Sequence, residues 1–569
     1  MKAAAPGANA GRVAPLLSAD ERIARLLAYG MAALLAVFLA WPLAEILFKA
    51  LQSADGQFVG LRNLRELMVE PRILAASWNS FAVACTVTFL VIPAALVFAF
   101  ALAQSRIPGK GLLKIIALSP LLTPSLMPAI SLVYLFGNQG LVKGLLHGHS
   151  IYGLLGIVLG EAFYTFPYAL LVLLTALAVT DGRLYEAAEV LGAGRVRRFL
   201  TVTLPSIRYG LISACLIVFT LTITDFGVPI VIGGQTNVLA LECYKQVLGQ
   251  QNFQKGAAVG LVLLLPAVVS FAVERWLARG RAGAISGSSV PFVPKPGALR
   301  DGVLWLLCAA TSVFLLALIG TAVVASFIKL WPYHMNLTLA HYDFANMDGG
   351  GWLAFRNSLT LGGLTAVVGC AVVFAGAYLV EKTPAPPAVA AVIQSLALIP
   401  MAVPGLVLGL GYVFCFDRPG NPLHGLYGTM AILVISTVVH FYTTAHLAVM
   451  TSLRRIDGDV EAVARSLRQA WWTTCSRVTL PMTLPTLLDV ARFLFVSATT
   501  TVSCVIFLYT PDTVLASVAV LNMDDAGDTA PAAAMATLIV VTSLAVTLLT
   551  HAAGWLLDRR TQAWRRSSA

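Results

Sequence analysis

Twelve separate stretches of this 569-residue chain are each apolar over a length that can cross a bilayer, which takes about 20 consecutive apolar residues in a helix. Nothing else in the sequence constrains the fold as strongly. In hydrocarbon every backbone N–H and C=O must find its partner within the protein, so runs of this length fold as helices. The first six are roughly 26–48, 79–103, 112–136, 151–179, 210–231 and 256–277. The second six are roughly 303–328, 357–380, 388–414, 426–453, 488–509 and 532–556. The chain is 58% hydrophobic and 11% charged, against about 25% charged in an ordinary soluble domain. That little charge cannot cover a water-facing surface, which excludes a soluble enzyme, a nucleic-acid binder and a disordered chain. The expected fold class is an all-α polytopic membrane protein with twelve transmembrane helices.

Lys and Arg set the orientation. With the N-terminus in the cytoplasm, cytoplasmic segments hold 27 of the 38 basic residues and outer loops hold 10. Arg492 is left over, just inside the eleventh run, where it can snorkel to the inner face. Both termini are therefore expected in the cytoplasm, with the first run an uncleaved span behind a polar leader. The net charge of +11 divides into +14 inside, −1 outside and −2 in or at the spans. The excess is a topology signal beside anionic headgroups. It does not point to nucleic acid and offers an anionic solute no attraction outside. The eight cysteines contain no C-x-x-C pair and read as small hydrophobes.

The two halves repeat each other at an offset of about 275–280 residues. Asn79-Ser80 answers Asn357-Ser358, and the prolines 120 and 124 answer 400 and 404. Tyr134 answers Tyr412, Tyr152-Gly153 answers Tyr427-Gly428, and Thr203-Leu204-Pro205 answers Thr479-Leu480-Pro481. Asn237-Val238-Leu239-Ala240 answers Thr513-Val514-Leu515-Ala516. An even number of spans per half makes the repeats parallel, and repeats of this kind place a pathway at their interface. The expected organisation is a leader (1–25), half one (26–277), a linker (278–302), half two (303–556) and a tail (557–569). The linker ends in GSSVPFVPKP and reads as flexible and cytoplasmic. The proline pairs are expected to kink the third and ninth spans.

Two loops, after the fourth and tenth spans, are longer than the other cytoplasmic loops. The first reads DGRLYEAAEVLGAGRVRRFLTVTLPSIR from Asp181. Asp181 can cap a helix bearing one apolar stripe, Leu184, Ala187, Ala188 and Leu191. Gly192 or Gly194 can end it in the left-handed conformation, and a basic helix from Arg195 leads back through Pro205. This loop resembles the EAA loop of permease subunits of bacterial ATP-binding-cassette importers. Glu186, Ala187, Ala188, Gly192, Leu204 and Pro205 match that family's pattern. The resemblance implies a type I importer permease fold of two six-helix repeats in the bacterial inner membrane. It also implies that the loop helix docks on a separate ATPase subunit, two copies of which carry the ATP and Mg. This chain is expected to bind no cofactor. The second loop, DGDVEAVARSLRQAWWTTCSRVTLPMTL, departs from the pattern. Aligned on Leu467 and Pro481, the Glu falls on Ala462 with Glu461 one position earlier, and the Ala pair becomes Val463-Ala464. The Gly becomes Arg468, which resists positive φ, so a different turn geometry is expected there.

The segments TDFGVPIVIGGQTNVLALECYKQVLGQQNFQKGAAVG from Thr224 and SVAVLNMDDAGDTAPAAAMA from Ser517 are similar to fused permeases of the iron(III) and 2-aminoethylphosphonate group. They are most similar to the 2-aminoethylphosphonate branch. That resemblance implies a solute delivered by a periplasmic binding protein, 2-aminoethylphosphonate first, with iron(III) as the alternative. The outer loops 49–78, 233–255, 329–356 and 510–529 are its expected seat. Ionisable or polar residues inside spans are costly and read as functional, so Glu161, Asp225, His440 and Tyr442 are pathway candidates. An ordinary interhelical hydrogen bond is the competing reading for each. The chain lacks G-x-x-x-x-G-K-[ST], since Gly109-Lys110-Gly111 has neither the upstream Gly nor the hydroxyl, so it is not an ATPase itself. An ion-coupled secondary transporter is the rival class. The paired loops argue against it, and 104–111 lacks the G-x-x-x-D-R-x-G-R-R signature of the largest such superfamily.

Overall fold

Proline decides where two of the apolar runs cease to be one helix. The computed structural model describes residues 19–281, 290 and 292–561, apart from 54, 346 and 348. The expected leader up to residue 18, linker residues 282–289 and 291, and the tail from 562 lie outside the described residues. Ten helices are long and apolar enough to cross a membrane, and two bent pairs raise the number to twelve. In order, spans one to six are Ala19–Ala50, Pro71–Gln104, the pair Lys110–Leu122 with Met127–Phe136, Leu154–Ala178, Arg195–Thr224 and Phe253–Trp276. Spans seven to twelve are Ala298–Phe327, Gly351–Glu381, the pair Pro387–Ala402 with Gly405–Phe416, Met430–Arg454, Trp471–Thr500 and Thr529–Leu557. A small antiparallel hairpin, Ile328–Leu330 with His334–Leu337, follows span seven.

The proline pairs break spans three and nine rather than kink them. The limbs meet at 104° and 116°. A residue before proline is pushed out of the helical region by the ring. Thr123 (φ −99°, ψ 144°) and Val403 (φ −107°, ψ 117°) are accordingly extended, each just before the second proline of its pair. Two other runs end sooner than their hydropathy suggests. Span five stops at Thr224, Asp225 is extended, and a separate helix Gly227–Ile232 follows. Span eleven stops at Thr500. Apolar sequence continues past both ends because the following turns are themselves buried.

Pro205 and Pro481 act differently. A proline inside a helix removes one N–H and crowds the carbonyl four residues back. Here the five residues that end two positions before each proline, Phe199–Thr203 and Cys475–Thr479, wind as single π-helical turns. The wider turn relieves the crowding. Spans five and eleven therefore run unbroken from Arg195 and Trp471 into the bundle.

The first span of each half packs on the last span of its own half and also crosses to the other half. Span one packs on spans eight and nine, and span seven packs on spans two and three. Tyr412 Oη donates to the Phe38 carbonyl at 2.5 Å, beside the π turn Ala36–Ala40. Ser131 Oγ donates to the Leu318 carbonyl at 2.6 Å. Each bond ties the limb after a proline break to the other half's first span. Interhelical bonds of this kind supply association where lipid removes the hydrophobic drive. Exposed apolar side chains such as Phe89, Leu112 and Val367 face outward, as a hydrocarbon surround requires.

The repeated Asn-Ser pair has one structural task. Ser80 Oγ accepts the N–H of Leu239 at 2.8 Å, and Ser358 Oγ that of Ala516 at 2.7 Å. Asn79 Nδ2 donates to the Asn237 carbonyl, and Asn357 Nδ2 to those of Asp512 and Val514. Each pair thus satisfies the buried first turn of a helix that has no side-chain cap of its own. Ser358→Ala leaves the Ala516 N–H buried and unpaired, which costs about 1–3 kcal/mol. Thermal unfolding in detergent is expected to show a lowered midpoint for this variant, and an unchanged midpoint would refute the capping role.

Candidate functional site

Two short helices at one end of the bundle form the candidate site: Gly182–Val190 between spans four and five, and Asp459–Ser466 between spans ten and eleven. Asp181 begins the first, its Oδ1 accepting the Arg183 N–H at 3.1 Å. Asp457 does the same in the second, accepting from Asp459 at 3.1 Å. Each carboxylate satisfies one of the orphan N–H groups of the first turn.

The two helices end alike, which overturns the expectation of a different second turn. Gly192 has φ +72° and Arg468 φ +54°, both left-handed. The Ala193 N–H bonds the Ala188 carbonyl, and the Gln469 N–H bonds the Ala464 carbonyl, both at 2.9 Å. This six-to-one closure requires a left-handed residue. The chain must turn back into span eleven within a few residues, so Arg468 adopts that conformation despite its Cβ.

The inward sides hold the two helices by the same positions with different chemistry. In half one, Tyr185 is buried. Its hydroxyl accepts from Gln104 Nε2 at 2.8 Å and donates to Thr203 Oγ1 at 3.0 Å. The equivalent positions in half two are Glu461 and Lys382, which form an ion pair at 3.1 Å with both side chains largely buried. Glu461 is therefore turned toward the bundle rather than outward. Leu204, Pro205 and Pro481 lie directly after the π turns of spans five and eleven; Pro205 lines one cavity with Leu184 of the first short helix.

Among the described residues the outward sides are exposed and carry large apolar side chains. In half one Glu186 and Ala187 are exposed and Ala188 partly so. Val190 is 88% and Leu191 83% exposed, and Leu184 and Val196 are exposed beside them. In half two Ala462 is exposed and Ala464 partly so, with Val463 and Leu467 exposed. Large aliphatic side chains grouped at a polar end of the molecule mark an interaction surface.

Of the intramembrane candidates, two come together. Glu161 is fully buried in span four, and its carboxyl meets that of Asp225. Asp225 also caps the following helix, its Oδ2 accepting the Val228 N–H at 2.9 Å. His440 lies in the other half, its ring against Gly405 at the start of the limb after the second break. Tyr442 is on the opposite side of span ten, its hydroxyl pressed against Gly376 of span eight. A further pair went unread in the sequence. A Cβ at Gly227 would meet the Ser125 hydroxyl, and a Cβ at Gly405 would meet that of Ser503. Ser125 and Gly405 both follow the second proline of a pair. The repeat offset is the signal that relates these positions, although the residues at them differ. Among the described residues no three His, Cys, Asp or Glu side chains form a metal-ligand group.

The turn geometry has a measurable consequence. A non-glycine residue in the left-handed region carries about 1–3 kcal/mol of strain. Arg468→Gly is expected to retain or raise protection of the 459–466 amides in hydrogen exchange. Gly192 has open space around a would-be Cβ, so Gly192→Ala is expected to cost only that strain, about 1 kcal/mol, and to speed exchange over 182–190. Reduced protection in Arg468→Gly would contradict the account of the turn.

A ferric transport system permease protein of Actinobacillus pleuropneumoniae is 27% identical over 473 residues, covering 79% of this chain and 67% of that protein. A probable ABC transporter permease protein of Sinorhizobium fredii is 24% identical over 549 residues, covering 90% and 95%. A putative 2-aminoethylphosphonate transport system permease protein of Salmonella typhi is 25% identical over 262 residues, covering 44% and 90%. Residues 81–283 and 385–562 each match one family, so the match is made twice, once in each half. Both matched stretches contain one short helix with its exposed tip, on a multi-pass all-α fold of type I permease architecture. The chain belongs to the family of binding-protein-dependent transport system inner membrane components, the permease subunits of ABC importers, which have no ATPase site of their own.

Proposed function

We propose that the two short helices are the seats of two copies of an ATP-binding subunit, which carry the ATP and Mg while this chain forms the path. The observation that carries this is the pair of outward apolar tips, Leu184, Val190 and Leu191 in one half and Val463 and Leu467 in the other. Glu186 lies beside the first tip and can pair with a cation of the partner. Ala187, Ala188, Ala462 and Ala464 allow close backbone approach. Gly192 and Arg468 set the turn behind each tip, and Pro205 and Pro481 with their π turns carry a push into spans five and eleven. Glu461 serves by holding the second helix to Lys382. In this reading the loop end and both termini are cytoplasmic, and a periplasmic binding protein hands its solute to the outer loops. Closure of the ATPase pair turns the halves outward and hydrolysis resets them. Glu161, Asp225 and His440 lie beside the two proline breaks and line the path. Tyr442 packs against Gly376 of span eight.

For the solute, 2-aminoethylphosphonate is our first reading. It rests on the segments from Thr224 and Ser517 and on the phosphonate relative. A specific observation favours iron(III) as a second reading: a ferric relative aligns over 79% of this fused chain, the phosphonate one over 44%. Glu186→Arg is expected to leave membrane insertion intact. In reconstituted complexes it should reduce solute-stimulated ATP hydrolysis and uptake by at least about ten-fold, the effect of losing roughly 1.4 kcal/mol of coupling. Undiminished uptake would reject the docking assignment. Uptake of labelled 2-aminoethylphosphonate against labelled ferric iron, each with the cognate binding protein, decides the solute.

A further inference from the structure

The segment joining the two halves was expected to be a flexible tether, yet its described part is docked on the first short helix. The Gly182 N–H bonds the Val290 carbonyl at 2.8 Å, and the Val290 N–H bonds Asp181 Oδ1 at 3.3 Å. Phe292 is half-buried, its ring 4.5 Å from that of Tyr185. Arg106 Nε, at the end of span two, donates to the Pro294 carbonyl at 2.8 Å. Lys295 Nζ reaches Glu189 Oε1 at 2.7 Å, and this hydrogen bond and charge hold the Glu189 carboxyl below the usual carboxylate range. From Gly297 the chain enters span seven directly, with Arg300 bonding back to the Lys295 carbonyl at 2.7 Å. A continuous line of contacts thus runs from the first short helix to span seven, which packs on spans two and three. The outward tip, Leu184, Val190 and Leu191, is left uncovered.

Half two has a counterpart built differently. Trp471 follows the second short helix, and its indole N–H bonds the Asp20 carbonyl at 3.1 Å in the first turn of span one. Tyr378 Oη of span eight bonds the Trp471 carbonyl at 3.2 Å. In each half, therefore, the loop region is held by the other half's first span or by the described residues that lead into it.

We propose that residues 290 and 292–297 are a strap that ties the first short helix to span seven, so that movement of that helix drives both halves, with Phe292 as its positioning residue. The proposal rests on the importer reading above. A tether without such contacts would stretch when the helix moved. A segment held at Gly182, Tyr185 and Glu189 transmits displacement because packed contacts are not continuously deformable.

The test compares Phe292→Ala and Phe292→Tyr with the unaltered chain, by two readouts. In the purified chain alone, Phe292→Ala is expected to speed amide exchange over residues 182–190 about five-fold, and Phe292→Tyr to restore it. In the complex reconstituted with its ATP-binding subunit and binding protein, Phe292→Ala is expected to lower solute moved per ATP about five-fold. The ATP-binding subunit should still co-purify, and Phe292→Tyr should again restore the ratio. Unchanged exchange overturns the strap. Faster exchange with an unchanged transport ratio also overturns it, since the contact would then only steady the helix. If no ATP-binding subunit binds the unaltered chain, the importer reading fails instead, and exchange alone decides whether the strap holds the helix.

Discussion

In hydrocarbon an unpaired backbone group costs several kcal/mol, and the layout of this protein follows from where the chain breaks that rule. Most spans are uninterrupted helices. The exceptions are two proline breaks, in spans three and nine, and π turns in spans one, five and eleven. Three of them carry covering bonds. The break residues Thr123 and Val403 bond back to Pro120 and Pro400. Phe38, in the first π turn, receives the Tyr412 hydroxyl. The buried acidic pair and His440 lie at the breaks, and the short helices lie just before the π turns of spans five and eleven. Irregular backbone and polar chemistry coincide because a broken helix needs polar neighbours and leaves room for them.

Duplication preserved geometry more faithfully than chemistry. The contact between the short helix and the end of span two or eight is Tyr185 with Gln104 in one half and Glu461 with Lys382 in the other. The left-handed turn is Gly192 in one and Arg468 in the other. The hydroxyl beside each break comes from Ser125, facing Gly227, in one half and from Ser503, facing Gly405, in the other. In each case a shape is retained while its means of support changes. The crossing of first spans explains this tolerance: each half is braced by the other, so an altered local contact is buttressed from across the interface.

Much of this was legible in the residues. Hydropathy located the spans, and the Asn-Ser, Pro-Pro and Leu-Pro repeats located equivalent structure in both halves. Asp181 as a cap followed from its position before an amphipathic stretch. Where the reading fell short, local rules met tertiary demands. Two prolines four residues apart read as kinks but produced bends of more than 100°, because the extended pre-proline residue falls between them. Apolar run length overstated spans five and eleven, because the turns beyond Thr224 and Thr500 are buried as deeply as the spans. Propensity argued against a left-handed Arg468, and chain reversal overrode it.

By itself the sequence determined that this chain lives in a bilayer, that it is one unit written twice, and that each unit bears a short capped helix after its fourth span. Those are consequences of composition, periodicity and cap chemistry, which act over a few residues. Tertiary structure alone decided which side of each short helix faces out, that Glu461 turns inward to Lys382, that Glu161 meets Asp225, and that the joining segment lies against Tyr185 and Glu189. These depend on contacts between residues tens to hundreds of positions apart, and no local pattern carries the distance between them.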